Sequence, residues 1–336
     1  PGTESLQVAR EAYRAALAIW QRAELFQIGP AATEGVQPGA ASLRSLIYSW
    51  PEQRSACGVD SLVITGGYAE LDDWAAQPLY TRGLDALDWL LHAPDDETAC
   101  SPFVGARADE EPLWVALRDE PGAVAEARAR YAAEVAGDLR ASAQDLAARF
   151  EAFLVEFVDA GAASGLFESE QQALNAASDA LFYLDKEVKD AKVGRPLGKV
   201  DCLTALRCPE AVELPQSALS LAAVGWNLDG FSQVYRGVLD PGLSVSAVTS
   251  PSGFDGLLRA RGADGVRVAN AMNDAIDDAR AAIESAEGPL AVAVEERSDQ
   301  VEEVHVSLKA ITDLLKTEFT ALLELSVPMR AASDND

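Results

Sequence analysis

Histidine is nearly absent from this chain, which has only His92 and His305 in 336 residues. Neither belongs to an HExxH, so the helix that carries zinc in many metalloproteases is missing. A Ser or Cys nucleophile needs a base beside it, and no Gly-x-Ser-x-Gly elbow occurs either. Nucleophilic hydrolysis therefore has little to work with. Basic residues are scarce too: 27 Lys and Arg face 54 Asp and Glu, for a net charge of −27. Such a field repels nucleic acid and anionic membranes, attracts cations and favours solubility. No uninterrupted apolar run approaches the roughly 18–20 residues of a membrane span. No basic segment followed by an apolar one opens the chain. It starts on Pro1 rather than Met, as expected where an export signal has been removed. Period-two alternation is also wanting, so strands are minor at most.

There are four cysteines and no CxxC spacing, which argues against a zinc–thiolate site. Cys202 and Cys208 bracket a short loop and suit a local disulfide, leaving Cys57 to pair with Cys100 among the three pairings that four cysteines allow. Free buried thiols in a cytosolic protein are the alternative. The even count favours an exported, oxidising location. The stretch Gly194-Arg195-Pro196-Leu197-Gly198-Lys199-Val200 falls one residue short of a phosphate loop, and no strand precedes it.

What the chain does have is helical rhythm, with 49% hydrophobic residues, and a length that suits about two domains. The periodicity predicts helices over 3–28, 42–50, 70–76, 79–93, 121–160, 168–193, 217–238, 253–260, 263–297 and 299–326. Residues 52–67 read as irregular because of Gly58, Gly66 and Gly67, and Gly288-Pro289 should kink the helix that contains it. Long amphipathic helices with short connections give antiparallel bundles. The expected architecture is all-α, two four-helix-like bundles packed together, with a boundary in Gly161–Gly165. Residues 1–160 would form the N-terminal bundle and 161–336 the C-terminal one. Each half sets one buried helix with a polar seam among longer amphipathic ones, the outline of a distant internal duplication.

The 79–93 segment organises the rest. At 100° per residue, Leu79, Leu84, Ala86, Leu87, Leu90 and Leu91 cover most of its circumference. Thr81, Asp85, Asp88 and His92 share a strip roughly 60° wide. A helix apolar almost all round is normally buried, and charges on its one polar seam then need partners. A metal ion, an Arg or Lys, helix N-termini or water in a cleft would each serve; a seam facing bulk solvent is the plain alternative. Trp89 and Arg82 beside it favour a cleft. His305, at the edge of an apolar stripe, reads as an ordinary boundary residue.

These residues resemble a known family. Arg82-Gly83-Leu84-Asp85-Ala86-Leu87-Asp88-Trp89-Leu90-Leu91 is similar to the signature helix of imelysin-like proteins, a group also classed as peptidases. That signature is Gly-x-His-x-x-Glu in one branch; here Gly83 matches its Gly, Asp85 replaces the His and Asp88 the Glu. Trp20-Gln21-Arg22-Ala23-Glu24 before Gly29-Pro30, and Tyr48-Ser49-Trp50-Pro51, are similar to the family's first helix and the segment after it. Lys192-Val193-Gly194-Arg195-Pro196-Leu197-Gly198, Ser217-Ala218-Leu219-Ser220-Leu221 and Asn227-Leu228-Asp229-Gly230 resemble its second half. The resemblance implies two helical bundles with a site at their interface, in an exported periplasmic or outer-membrane-associated protein linked to iron uptake. A lipid anchor before Pro1 and other envelope iron-uptake proteins as partners fit the same picture.

The expected ligand site comprises Trp20, Glu24, Gly83, Asp85, Asp88, Trp89, His92, Ser217, Ser220 and Asn227, with Asp85 and Asp88 as the metal candidates. No residue is assigned a catalytic role. Oxygen-only ligands suit iron or another hard divalent or trivalent cation better than zinc. Three readings follow. The first is a protein that binds a metal ion, an iron complex or a small ligand in an interdomain cleft. The second is a metallopeptidase using Asp85, Asp88, His92 and Glu24. The third is a structural or partner-binding envelope protein whose seam is salt-bridged to Arg82 or another Arg. An Asp pair without a further base offers no obvious activated water, which favours the first.

Overall fold

The computed structural model describes residues 3–51, 55–70, 74–101, 113–162, 165–202, 206–238, 253–328 and 331. Among these residues the fold is all-α, with no strand. They pack as two compact units: Pro1–Leu17 with Ser42–Glu151, and Ala18–Ala41 with Ala152–Asp336. This grouping differs from a division at residue 160. It passes through the first and the longest helices, and it assigns residues 18–41 to the second unit.

In the first unit, helix α1 (Thr3–Ala23) contributes its N-terminal part and buries Tyr13 and Leu17. Ser42, expected to cap a helix, has φ 53° and makes no capping hydrogen bond, and only a 3-10 turn follows at Leu43–Leu46. The stretch read as irregular instead holds α2 (Ala56–Thr65), because Ser55 caps it by accepting from Gly58 N at 3.0 Å while Val59, Val63 and Ile64 are buried. Gly58 does not break the chain here, whereas Gly66 ends α2 as a left-handed C-cap with φ 66°. The expected 70–76 helix is represented by 3-10 turns at Gly67–Glu70 and Trp74–Ala76, and residues 71–73 lie outside the described set.

The organising segment is likewise not one helix. A 3-10 turn at Leu79–Thr81 gives way to extended Arg82, and α3 runs from Gly83 to His92. Gly83 has φ +71°, and a Cβ there would lie 2.5 Å from the Ile47 carbonyl oxygen, which accepts from Leu84 N at 2.8 Å. Only glycine fits this junction. After α4 (Leu113–Asp119), α5 (Ala123–Val158) adds Val124, Tyr131 and Val135 to the core. Tyr131 stacks on Tyr68 at 4.8 Å between ring centroids. The disulfide Cys57–Cys100 belongs to this unit.

The second unit is built around α9 (Ala263–Ser285) and α11 (Ser298–Leu314), which pack on each other. Met272, Ile276, Val301, Leu308 and Phe319 are fully buried there. Ser169 caps α6 (Glu170–Leu181) by accepting from Gln172 N at 3.1 Å. The expected continuous helix to Val193 is absent: a π-helical segment, Leu184–Gly194, takes over and packs on α11. Helices α7 (Ser220–Arg236) and α8 (Phe254–Arg259) follow, both packed on α9; the expected loop 239–252 lies outside the described residues. Gly288-Pro289 breaks the chain outright before α10 (Leu290–Glu296), because Pro289 sits at the N-cap in a β conformation. A π turn at Leu315–Phe319 separates α11 from α12 (Thr320–Leu323). The second disulfide, Cys202–Cys208, lies in the loop before α7. Both expected pairings are present.

Candidate functional site

The seam on α3 is buried rather than solvent-facing: Thr81 is 3% and Asp88 5% exposed. Each acidic group has a donor inside the first unit. Asp85 Oδ2 accepts from Ser49 N at 2.6 Å and from Ser49 Oγ at 2.9 Å, which ties the Tyr48-Ser49-Trp50-Pro51 segment to the first turn of α3. A carboxylate at that end also faces the positive pole of the helix. Asp88 Oδ1 accepts from the Tyr13 hydroxyl at 3.3 Å. Trp89 Nε1 donates to Asp60 at 2.7 Å. Arg82 turns away from the seam and grips Asp138 with two nitrogens, at 2.6 and 2.9 Å. An Asp85 or Asp88 salt bridge to Arg82 is therefore not what holds this helix.

His92, half-buried at the end of α3, places Nδ1 3.1 Å from the Asp88 carbonyl oxygen, and its ring tilts against Tyr13. Burial is the main influence on its pKa and lowers it; Asp88 opposes that effect and Arg10 adds slightly to it. The imidazole is thus held towards its neutral form.

Behind the seam lies a cavity of about 660 Å³, formed by α1, α3 and α5 within the first unit. Leu84, Leu87, Leu90 and Leu91 line it from α3, and alanines of α1 and α5 form much of the rest. His92, Arg10 and Arg128 supply its polar groups together with Ser5, Tyr13 and Asp95. Its size and mostly apolar lining are those of a small-molecule site. Arg128 is 2% exposed and donates to the carbonyl oxygens of Ala93, Pro94 and Glu97. It also lies 3.5 Å from Asp60.

The remaining expected site residues belong to the second unit. Glu24 and Asn227 meet at Lys192, which the sequence marks only as part of a family motif and not as a site residue. Its Nζ is fully buried and lies 2.6 Å from Gln21 Oε1, 2.8 Å from Asn227 Oδ1, 2.8 Å from Glu213 Oε1 and 3.4 Å from Glu24 Oε2. Gln21 Nε2 donates to Glu213, and Asn227 Nδ2 donates to the Gln21 carbonyl. Two buried carboxylates and two amides thus enclose one ammonium. A signal was present, since Lys192 follows Leu184 and Val188 at four-residue steps along an apolar stripe, where a lysine has to be paired.

Ser220 Oγ accepts from Leu214 N at 3.2 Å, holding the segment that carries Glu213. Asp229 bridges Arg22 and Arg280. Gly230 lets α7 approach the Arg22 carbonyl so closely that any Cβ would collide with it. Ser217 lies in the turn before α7, and half-buried Trp20 is one turn ahead of Glu24 on α1. Trp20 Nε1 has no hydrogen-bond partner among the described residues.

Among the described residues, no group of three His, Cys, Asp or Glu side chains is placed to hold a metal ion. Asp85 Oδ2 and Asp88 Oδ1 accept from Ser49 and Tyr13. The geometry that remains is a largely apolar cavity walled by the signature helix in one unit and a closed ionic cluster in the other. The imelysin family model (peptidase M75) matches residues 1–317. The chain belongs to the imelysin family. Two solved structures share the fold of this imelysin-family chain. One, from Parabacteroides distasonis, is described as an iron-regulated protein A precursor; it is 18% identical, with a TM-score of 0.61 over 96% of this chain and 84% of that one. The other is an imelysin-like protein from Psychrobacter arcticum, 19% identical, with a TM-score of 0.57 over 97% and 84%. No curated protein sequence matches.

Proposed function

We propose that this imelysin-family protein is an exported cell-envelope protein that serves iron uptake by holding a small ligand, not by cutting peptides. The observation that carries the reading is the 660 Å³ cavity walled by the signature helix α3. The same helix spends its carboxylates on Ser49 and Tyr13, which makes them supports of the cavity wall. The sequence reading put the ligand in a cleft between the halves, whereas this cavity lies wholly within the first unit. Two disulfides suit an oxidising compartment. The iron connection rests on the family and on the relative described as iron-regulated.

Direct cation binding by Asp85 and Asp88 is the competing reading, and titration calorimetry separates the two. Metal-stripped protein titrated with iron, calcium and zinc should give only weak, unsaturable heats, unchanged in the Asp85→Asn/Asp88→Asn variant. A stoichiometric metal signal lost in that variant would establish the seam as a metal site and overturn our reading.

A further inference from the structure

Resting on that reading, we infer that the α1–α3–α5 cavity takes an amphipathic monoanion: an apolar body with a single carboxylate-type head. Arginine reaches this cavity despite the acidity of the molecule. The chain carries −27 overall, yet Arg10 and Arg128 line the site with one carboxylate, Asp95. Arg128 is also paired with buried Asp60 at 3.5 Å, so Arg10 is the cation offered to a ligand. Asp95 is 68% exposed and only 3.9 Å from Arg128, so it sits on the wet side of the arginine.

Arg10 keeps donors available to a ligand, whereas Arg128 is held by the protein. Arg10 gives Nε to the Leu91 carbonyl at 2.7 Å, and its two terminal nitrogens have no other partner among the described residues. Arg128 gives both terminal nitrogens to carbonyls, and its Nε, though without a hydrogen-bond partner, is buried away from the cavity. The head of the ligand is therefore set by Arg10. A carboxylate provides two acceptor oxygens in a plane that matches such a donor fork.

The apolar lining sets the other half of the ligand. Leu84, Leu87, Leu90 and Leu91 offer no hydrogen bond, nor do the side chains of Ala129 and Ala132. A polar body would lose its hydration there without compensation, whereas an alkyl or aromatic body gains from leaving water. Head and body are thus specified by different side chains of one cavity. A free ferric ion, a cationic peptide and a sugar all mismatch at least one of them.

The test compares three ligands of one chain length, decanoate, decanol and decylammonium, by calorimetry on the intact protein. Decanoate should bind with one-to-one stoichiometry, about tenfold or more tighter than decanol, as expected for a charge-assisted hydrogen bond. Decylammonium should bind most weakly. Arg10→Gln should bring decanoate down to the decanol value while leaving decanol unchanged. Ala132→Phe, checked by circular dichroism for an intact helical fold, should block all three by filling the cavity. Ala129→Phe provides a second blocking variant should the first unfold. Equal binding of decanoate and decanol by the parent would overturn the anionic class and leave the cavity reading standing. Binding that survives both filling variants would overturn the site. If no ligand bound the parent, this inference and the cavity reading would both fail.

Discussion

Two polar constellations sit inside apolar helices of this protein, and they are satisfied in different ways. On α3 of the first unit, Asp85 and Asp88 count Ser49 and Tyr13 among their donors and lie beside a cavity. In the second unit, Lys192 is sealed between Glu24 and Glu213 with no exposed surface. The first arrangement leaves room and the terminal nitrogens of Arg10 next to it; the second leaves neither. A buried charge marks a binding site only when its surroundings remain incomplete. A closed ion cluster is mainly a lock, because breaking it strands a charge in a medium that cannot solvate it.

If that contrast holds, the largest loss of stability should come from the lock. Lys192→Met leaves two carboxylates without their cation and should cost about 3–5 kcal/mol in denaturant unfolding. Adding Glu213→Gln should recover part of that loss. A loss below about 1 kcal/mol would mean the cluster is not the lock described here. Next is Gly83→Ala, which forces a side chain into a left-handed backbone against the Ile47 carbonyl. About 3 kcal/mol is expected, together with a weakened cavity, since the same junction positions α3. Smaller still is Asp85→Ala, which removes the acceptor of two Ser49 donors. It should cost about 2 kcal/mol without changing the heats on metal titration.

The smallest effect is the pH response of His92. Its pKa is lowered in the folded protein, chiefly by burial, so between that lowered value and 6.5 the unfolded chain binds more protons. Stability from this group is therefore lost as pH falls below about 6.5 and is regained as pH rises through that window. Unfolding midpoints at pH 5 and pH 7 should differ less in His92→Gln than in the parent. Equal differences would show that the imidazole is not held towards its neutral form.

Parts of this site were legible in the sequence because they follow helical periodicity. The leucines of α3 and the placement of Asp85, Asp88 and His92 on one strip come directly from 3.6-residue spacing. Gly83 was legible as a motif residue, although its reason, the contact with Ile47, lies 36 positions away in the chain. Other features were hidden. Helix α2 was missed because Gly58 signals a break locally, while the Ser55 cap and the buried Val59 and Val63 outweigh it. The π-helical segment was read as α-helix because an apolar stripe does not distinguish four-residue from five-residue hydrogen bonding. Lys192 was passed over because its partners come from α1, α7 and a loop, at separations of up to 171 residues.

By itself the sequence determined the all-α class, the family, the local Cys202–Cys208 pair and the acidity, because these depend on residue type, local spacing and total charge. Tertiary structure alone decided that the seam carboxylates are occupied by Ser49 and Tyr13, that Lys192 closes a cluster, and that arginine donors remain beside an apolar cavity. Partnership of a polar group depends on which distant segments packing brings within about 3 Å, and no local pattern in the chain encodes that distance.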